Sequence, residues 1–206
     1  MDNELTLVAE SLRKRGFDVE ICATKEEAAE KVMAIAKDAT SVGFGGSRTL
    51  AELKLPEKMA AAGKTILRHG DPDLTPEQKM EVMRQELTCD LFLLSANALT
   101  QDGRIVNIDG NGNRVAASIF GPQEVVFVVG RNKLVDGGID DAILRIKTEA
   151  CSLNCRRLGR KTPCAVTGVC ADCDSPDRIC RATVILERRP TRTPSTVILV
   201  DENLGF

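Results

Sequence analysis

Six of the eight cysteines fall between positions 151 and 180, and four of them form the run Cys164-x5-Cys170-x2-Cys173-x6-Cys180. Pro163, Gly168 and Pro176 interrupt that run, so it is expected to be a loop rather than a helix. Four thiolates on a compact loop suit a tetrahedral zinc ion or a [4Fe–4S] cluster. Only one pair has the Cys-x2-Cys spacing, whereas zinc ribbons usually carry two, which favours the cluster and leaves zinc as the alternative. Cys151 and Cys155 precede the run at i, i+4 spacing on one helix face and are alternative ligands, a redox pair or helix filling. Arg156, Arg157, Arg160, Arg178 and Arg181 flank the thiols, and positive charge lowers thiol pKa and offsets a thiolate site. Free thiols without metal are the plain alternative.

Four loops carry the remaining chemistry. Gly43-Phe-Gly45-Gly46-Ser47-Arg-Thr49 follows a strand pattern and precedes a helix pattern. Glycines let backbone approach a ligand, and Ser47 and Thr49 add hydroxyls, so an anion site is expected there; a tight turn with a Ser cap is the alternative. Ser95-Ala-Asn97-Ala-Leu-Thr100 places Asn97 and Thr100 after the most apolar strand, with Asp102-Gly103 as a hairpin turn. Asn107-Ile-Asp109-Gly110-Asn111-Gly112-Asn113-Arg114 offers a polar floor for a small hydroxylated or acyl ligand, with Arg114 holding an anionic group. It is no EF-hand, because no Glu closes it at the twelfth position. In Gly130-Arg-Asn132-Lys133, Lys133 can bind phosphate or carboxylate as a point charge. The one histidine, His69, is expected to be a surface-loop residue rather than a catalyst, and Cys22 and Cys89 to be small buried hydrophobes.

These loops need a scaffold. Leu5, Val8, Ala9 and Leu12 repeat at helical spacing and end before Gly16. Thr24 and Glu27 form a capping box for a helix to about Lys37, and Thr75-Pro76 opens another to about Leu87. Ile139 to about Leu158 is helical. Strands are expected at 17–21, 41–44, 65–67, 89–95, 104–108, 124–129, 183–186 and 196–200. The continuous apolar runs at 89–95 and 124–129 mark strands covered on both faces. Alternation of such strands with amphipathic helices predicts an α/β fold, a mostly parallel sheet covered by helices, with ligands beyond the carboxyl ends of the strands.

Composition narrows the function. The 206 residues suit one domain, 1–206, with 151–182 a cysteine-rich metal-binding segment inside it. Net charge of −2 argues against nucleic acid, and 3% aromatics, all Phe, leave no base-stacking platform. No apolar run is long enough for a membrane span. The N-terminal Met-Asp-Asn-Glu is acidic and has no apolar stretch, so no signal peptide is expected and the location is expected to be cytoplasmic.

Taken together, Gly43–Thr49, Leu94–Thr100, Val106–Arg114, Val129–Lys133 and Asp201-Glu-Asn-Leu-Gly205 resemble the LUD domain of lactate-utilisation protein C. The stretch Thr162-Pro-Cys through Ser175-Pro-Asp-Arg-Ile-Cys180 resembles a short, cysteine-rich subgroup. The resemblance implies a fold similar to ribose-5-phosphate isomerase and the CoA transferases, with a cysteine-rich C-terminal loop. It implies a phosphate or acyl site at Gly45, Gly46, Ser47, Thr49, Asp109, Gly110 and Lys133, which Asn97, Asn111, Asn113 and Arg114 extend. It also implies a role in L-lactate oxidation beside iron–sulfur partner subunits. An isomerase-like mechanism needs an acid–base residue, for which Asp109 is the candidate. The expected ligand is a small organic acid, a 2-hydroxy acid or its phosphorylated or CoA form. The alternatives are an isomerase- or transferase-type enzyme with structural zinc, or a non-catalytic accessory subunit.

Overall fold

The computed structural model describes residues 3–206; Met1 and Asp2, part of the acidic N-terminal stretch, lie outside it. In chain order the first half runs α1 (Asn3–Lys14), β1 (Asp18–Cys22), α2 (Lys25–Ile35), β2 (Ser41–Phe44), α3 (Arg48–Glu52), α4 (Leu55–Ala61), β3 (Thr65–Leu67), α5 (Pro76–Gln85) and β4 (Leu91–Leu94). The second half runs β5 (Ala98–Thr100), β6 (Ile105–Asp109), α6 (Asn113–Ile119), β7 (Glu124–Gly130), β8 (Leu134–Val135), α7 (Ile139–Arg145), α8 (Cys151–Arg157), α9 (Pro163–Thr167), β9 (Ala182–Leu186) and β10 (Ser195–Val200). No helix among the described residues is long and apolar enough to cross a membrane.

Six strands form one sheet in the order β1-β10-β7-β4-β2-β3, and every neighbouring pair is parallel. The side-chain period of two divides its central strands between two cores. Phe92, Leu94, Phe127 and Val129 face the core closed by Leu5, Val8 and Leu12 of α1. Leu91, Leu93, Val126 and Val128 face the other, closed by Ala28 and Val32 of α2 and by Leu50, Leu55 and Met59. Phe17 meets Phe127 edge-on, ring centroids 6.4 Å apart, a favoured aromatic geometry.

A second sheet, β8-β5-β6-β9, was not expected. Its β5–β6 pair is the hairpin turned at Asp102-Gly103, and β9 pairs antiparallel with β6 rather than beside β10. Its apolar face is covered by Ala142, Ile146, Ala150 and Cys151, which forms a third core. Here the helix predicted over 139–158 keeps its direction but widens into a π turn at Ile146–Ala150 before α8. Such insertions shift the helix face that follows.

Candidate functional site

The loops after β2, β4 and β7 and the β6–α6 loop meet at the carboxyl ends of the strands, where parallel α/β sheets bind ligands. Gly45 and Gly46 do different work there. A Cβ on Gly45 would lie 2.9 Å from Cγ and Cδ of Arg114, so this glycine makes room for the arginine stem. A Cβ on Gly46 would meet only His69 Nε2, at 3.8 Å. Ser47 caps α3, its Oγ accepting from Leu50 N at 3.4 Å. That helix has five residues, so side chains rather than a helix terminus define this end of the site.

Arg114 is the hub. Nε and Nη2 donate to Asp109 Oδ1 at 2.8 and 2.6 Å, Nη1 to Asn107 Oδ1 at 2.8 Å and Ser95 O, and Nη2 to Asn97 Oδ1 at 2.9 Å and Ile108 O. All of its N–H groups are used within the chain, so it fixes the polar floor and contributes charge, rather than being a clamp open to ligand. Asp109 is equally engaged, since its Oδ2 accepts from Val115 N at 3.1 Å. That bond closes the first turn of α6, which begins within the Asn-Gly run that the sequence suggested was a loop throughout. Both carboxylate oxygens of the predicted acid–base residue are therefore occupied.

Two connected cavities open beside this hub. The smaller, about 50 Å³, is lined by Gly46, Ser47, Thr49, Asn97, Arg114 and Lys133. Lys133 is 3% exposed, and its Nζ donates to Phe206 O. Burial first, then the Arg145 and Arg114 charges, bring its pKa down to about 7. Arg145 donates to Asn97 O and Asn132 O, while its Nη2 is buried without a hydrogen-bond partner among the described residues; Glu149, 3.5 Å away, gives only an ion pair. Thr49 Oγ1 is committed to Leu204 O. Ser47 Oγ accepts one bond and keeps its own proton to donate.

The larger cavity, about 560 Å³, shares Gly46, Asn97 and Arg114 with the first and adds Asp109, Gly110, Asn111 and Asn113 on its floor. Its opposite wall is Cys151, Asn154, Arg157 and Arg160, from α8 and the start of the cysteine-rich segment. Ile179 reaches the floor too, its carbonyl oxygen 3.3 Å from where a Gly110 Cβ would stand. One cavity therefore touches both stretches singled out by sequence.

Sequence reasoning missed His69. It lines the cavity, its side chain 18% exposed, and its Nδ1 lies 2.7 Å from Oε1 of Glu86, itself wholly buried. The pair is 17 positions apart, with Glu86 just after a helix that buries none of its own residues, so no periodicity flags it. Cys22 and Cys89 are buried as expected, and burial pushes both thiols up to about 11.

The Cys164–Cys180 run contains one short helix, α9, against the expectation of a loop throughout: Pro163 opens it, and Gly168, with φ 78°, ends it. Cys164 lies in it. Arg178 ties the remaining turns by donating to Cys173 O and Cys180 O, each at 2.9 Å, and Arg156 donates to Ala165 O. Several flanking arginines thus hold backbone carbonyls. The structure gathers Cys151 and Cys155 with the later thiols: burial, then Cys180, Cys155, Cys164 and Cys170, push Cys151 up to about 12. Cys155 is raised too, chiefly by burial, with the Cys164 thiol and Thr162 within hydrogen-bonding reach. Among the described residues, no three His, Cys, Asp or Glu side chains converge into a group that could hold a metal ion.

The family model of the LUD domain matches residues 5–200. Among solved structures, the chain is similar to a DUF162 family protein from Deinococcus radiodurans, with 16% identity, 96% of each chain covered and a TM-score of 0.52, a likeness of fold alone. No curated protein matches.

Proposed function

The chain belongs to the LUD-domain family, a family related to lactate utilisation, and on that footing we propose that its cleft binds a small organic acid, with the cysteine-rich segment beside it carrying a [4Fe–4S] cluster. The acid is a 2-hydroxy acid or its phosphorylated or CoA form. The observation that carries this reading is the shared cavity, whose floor is the Gly46–Asn97–Asp109–Arg114 loop set and whose wall is Cys151, Asn154 and Arg157. The anionic group of the ligand sits in the small pocket, where Lys133 supplies charge and Ser47 a free hydroxyl proton. Arg145, buried behind Lys133, adds to the field. Iron–sulfur subunits are the matching partners for a protein of this kind.

The cluster ligands in this reading are Cys164, Cys170, Cys173 and Cys180, all partly exposed, with Cys151 and Cys155 gathered beside them. To hold a cluster these thiols would have to stand closer than they do here, since no metal-holding group is formed among the described residues. A bound cluster would supply electron transfer or a Lewis-acid face; the protein's own residues bind and orient the acid.

Anaerobic purification with iron, sulfide and zinc analysis tests the proposal, alongside calorimetric titration with L-lactate. The chain has no Trp or Tyr, so a cluster's broad visible absorption stands out. The expected content is about four irons per chain, one [4Fe–4S] centre. Cys173→Ser should lose the iron, whereas Cys89→Ser, deep in the sheet core, should keep it. One zinc per chain would instead give the transferase- or isomerase-type reading with a structural metal. Neither metal would overturn the cluster, and no heat with lactate or its phosphorylated or CoA forms would overturn the acid site.

A further inference from the structure

We infer that His69, oriented by Glu86, is the residue that recognises the hydroxyl group of the ligand in this cleft. The inference rests on the organic-acid reading above and adds its specificity element. Glu86 is wholly buried and accepts three hydrogen bonds: from His69 N at 3.2 Å, from His69 Nδ1 at 2.7 Å and, on its other oxygen, from Asn113 Nδ2 at 3.2 Å. A carboxylate is an acceptor only, so it holds the ring in the form protonated at Nδ1. In the neutral ring Nε2 is then a lone-pair acceptor. Nε2 makes no hydrogen bond among the described residues, and the one atom that would approach a Gly46 Cβ is this nitrogen, at 3.8 Å.

Placement gives the acceptor its role. Gly46 borders both cavities, with Ser47 and Lys133 in the small one and His69 and Asn113 in the large one. In this proposal the acid's carboxylate lies beside Lys133 and its chain extends past Gly46, the residue common to both cavities, toward His69. Arg114 spends its donors on internal bonds, whereas Nε2 is an unspent acceptor among the described residues. An acceptor at that point suits a hydroxyl, which has a proton to give, and does nothing for a methylene.

Two measurements test this. His69 is the only histidine, so nitrogen NMR of the wild-type protein gives one imidazole pattern. The expected pattern is the Nδ1–H form, lost in Glu86→Leu, which has no acceptor; an Nε2–H ring in the wild type overturns the assignment. The second is the ratio of affinities for L-lactate and for propionate, which lacks the hydroxyl. His69→Phe should cut that ratio about tenfold, the order of one lost hydrogen bond. His69→Gln, which restores an acceptor, should recover part of it. Should His69→Phe fold poorly with Glu86 left short of a donor, Gly46→Ala serves instead. Its added methyl meets no other atom within 4 Å and should shield Nε2, with the same loss of ratio. An unchanged ratio in these variants, with lactate still bound, overturns this inference alone. If the wild type binds neither acid, nor the phosphorylated or CoA forms of lactate, the organic-acid reading falls and takes this one with it.

Discussion

Arg114→Ala is expected to cost about 3–5 kcal/mol of stability, the range for removing one partner of a buried, hydrogen-bonded ion pair. The Arg114 and Asp109 side chains are only 11% and 9% exposed, and the pair is 2.6 Å apart. Without the guanidinium, the Asp109 carboxylate stays buried with Val115 N as its remaining side-chain partner, and Asn97 and Asn107 lose donors. The effect spreads because Arg114 joins the end of β4, the β6 strand and the start of α6. Urea unfolding checks the magnitude. The double variant with Asp109→Asn should recover part of the loss, since it no longer strands a charge; a double variant as unstable as the sum of the singles would refute the pairing. The floor of the cleft is therefore a structural unit whose loss removes ligand binding as well.

The second large effect is on pH. Affinity for an anionic acid should fall as pH rises through about 7, by up to tenfold per unit. The sign follows from Lys133, whose pKa burial and then Arg145 and Arg114 lower from 10.5 to about 7. Below that value the ammonium is charged and attracts the anion. Above it, the free protein carries a neutral amine, and binding must first take up a proton. A bound anion favours the charged form, so uptake persists until the raised pKa of the complex is passed. Lys133 has three protons to donate and spends one on Phe206 O, so two remain for ligand. Calorimetry in buffers of different ionisation heat should show close to one proton taken up near pH 8. Lys133→Met should bind more weakly and without the steep slope; a wild-type slope in that variant would assign the titration elsewhere.

Much of this architecture is legible in the residues, for local reasons. Thr24, Ser47 and Thr75 each accept from a backbone N–H three residues on, so short-range chemistry sets those helix starts. The apolar runs at 91–94 and 124–130 lie where two-sided burial demands. Long-range features were less visible. β9 alternates like any strand, and only tertiary pairing sends it to β6. The cap of α6 comes from Asp109, four residues before the helix, so the Asn-Gly run looks like loop. Glu86 has the sequence context of a solvated helix end, yet it is wholly buried because His69 and Asn113 reach it from two other elements. Cys151 and Cys155 share a helix face by spacing alone, but their approach to Cys164 depends on the turn after α8.

The most direct test of the central claim, that loop set and cysteine-bearing helix form one acid site, is hydrogen exchange read by mass spectrometry with and without saturating L-lactate. Slowed exchange is expected in 43–49, 95–97, 107–114 and 131–133 together with 150–160, segments that line the two cavities. Protection absent from these segments, or confined to surfaces away from them such as α1, would contradict it.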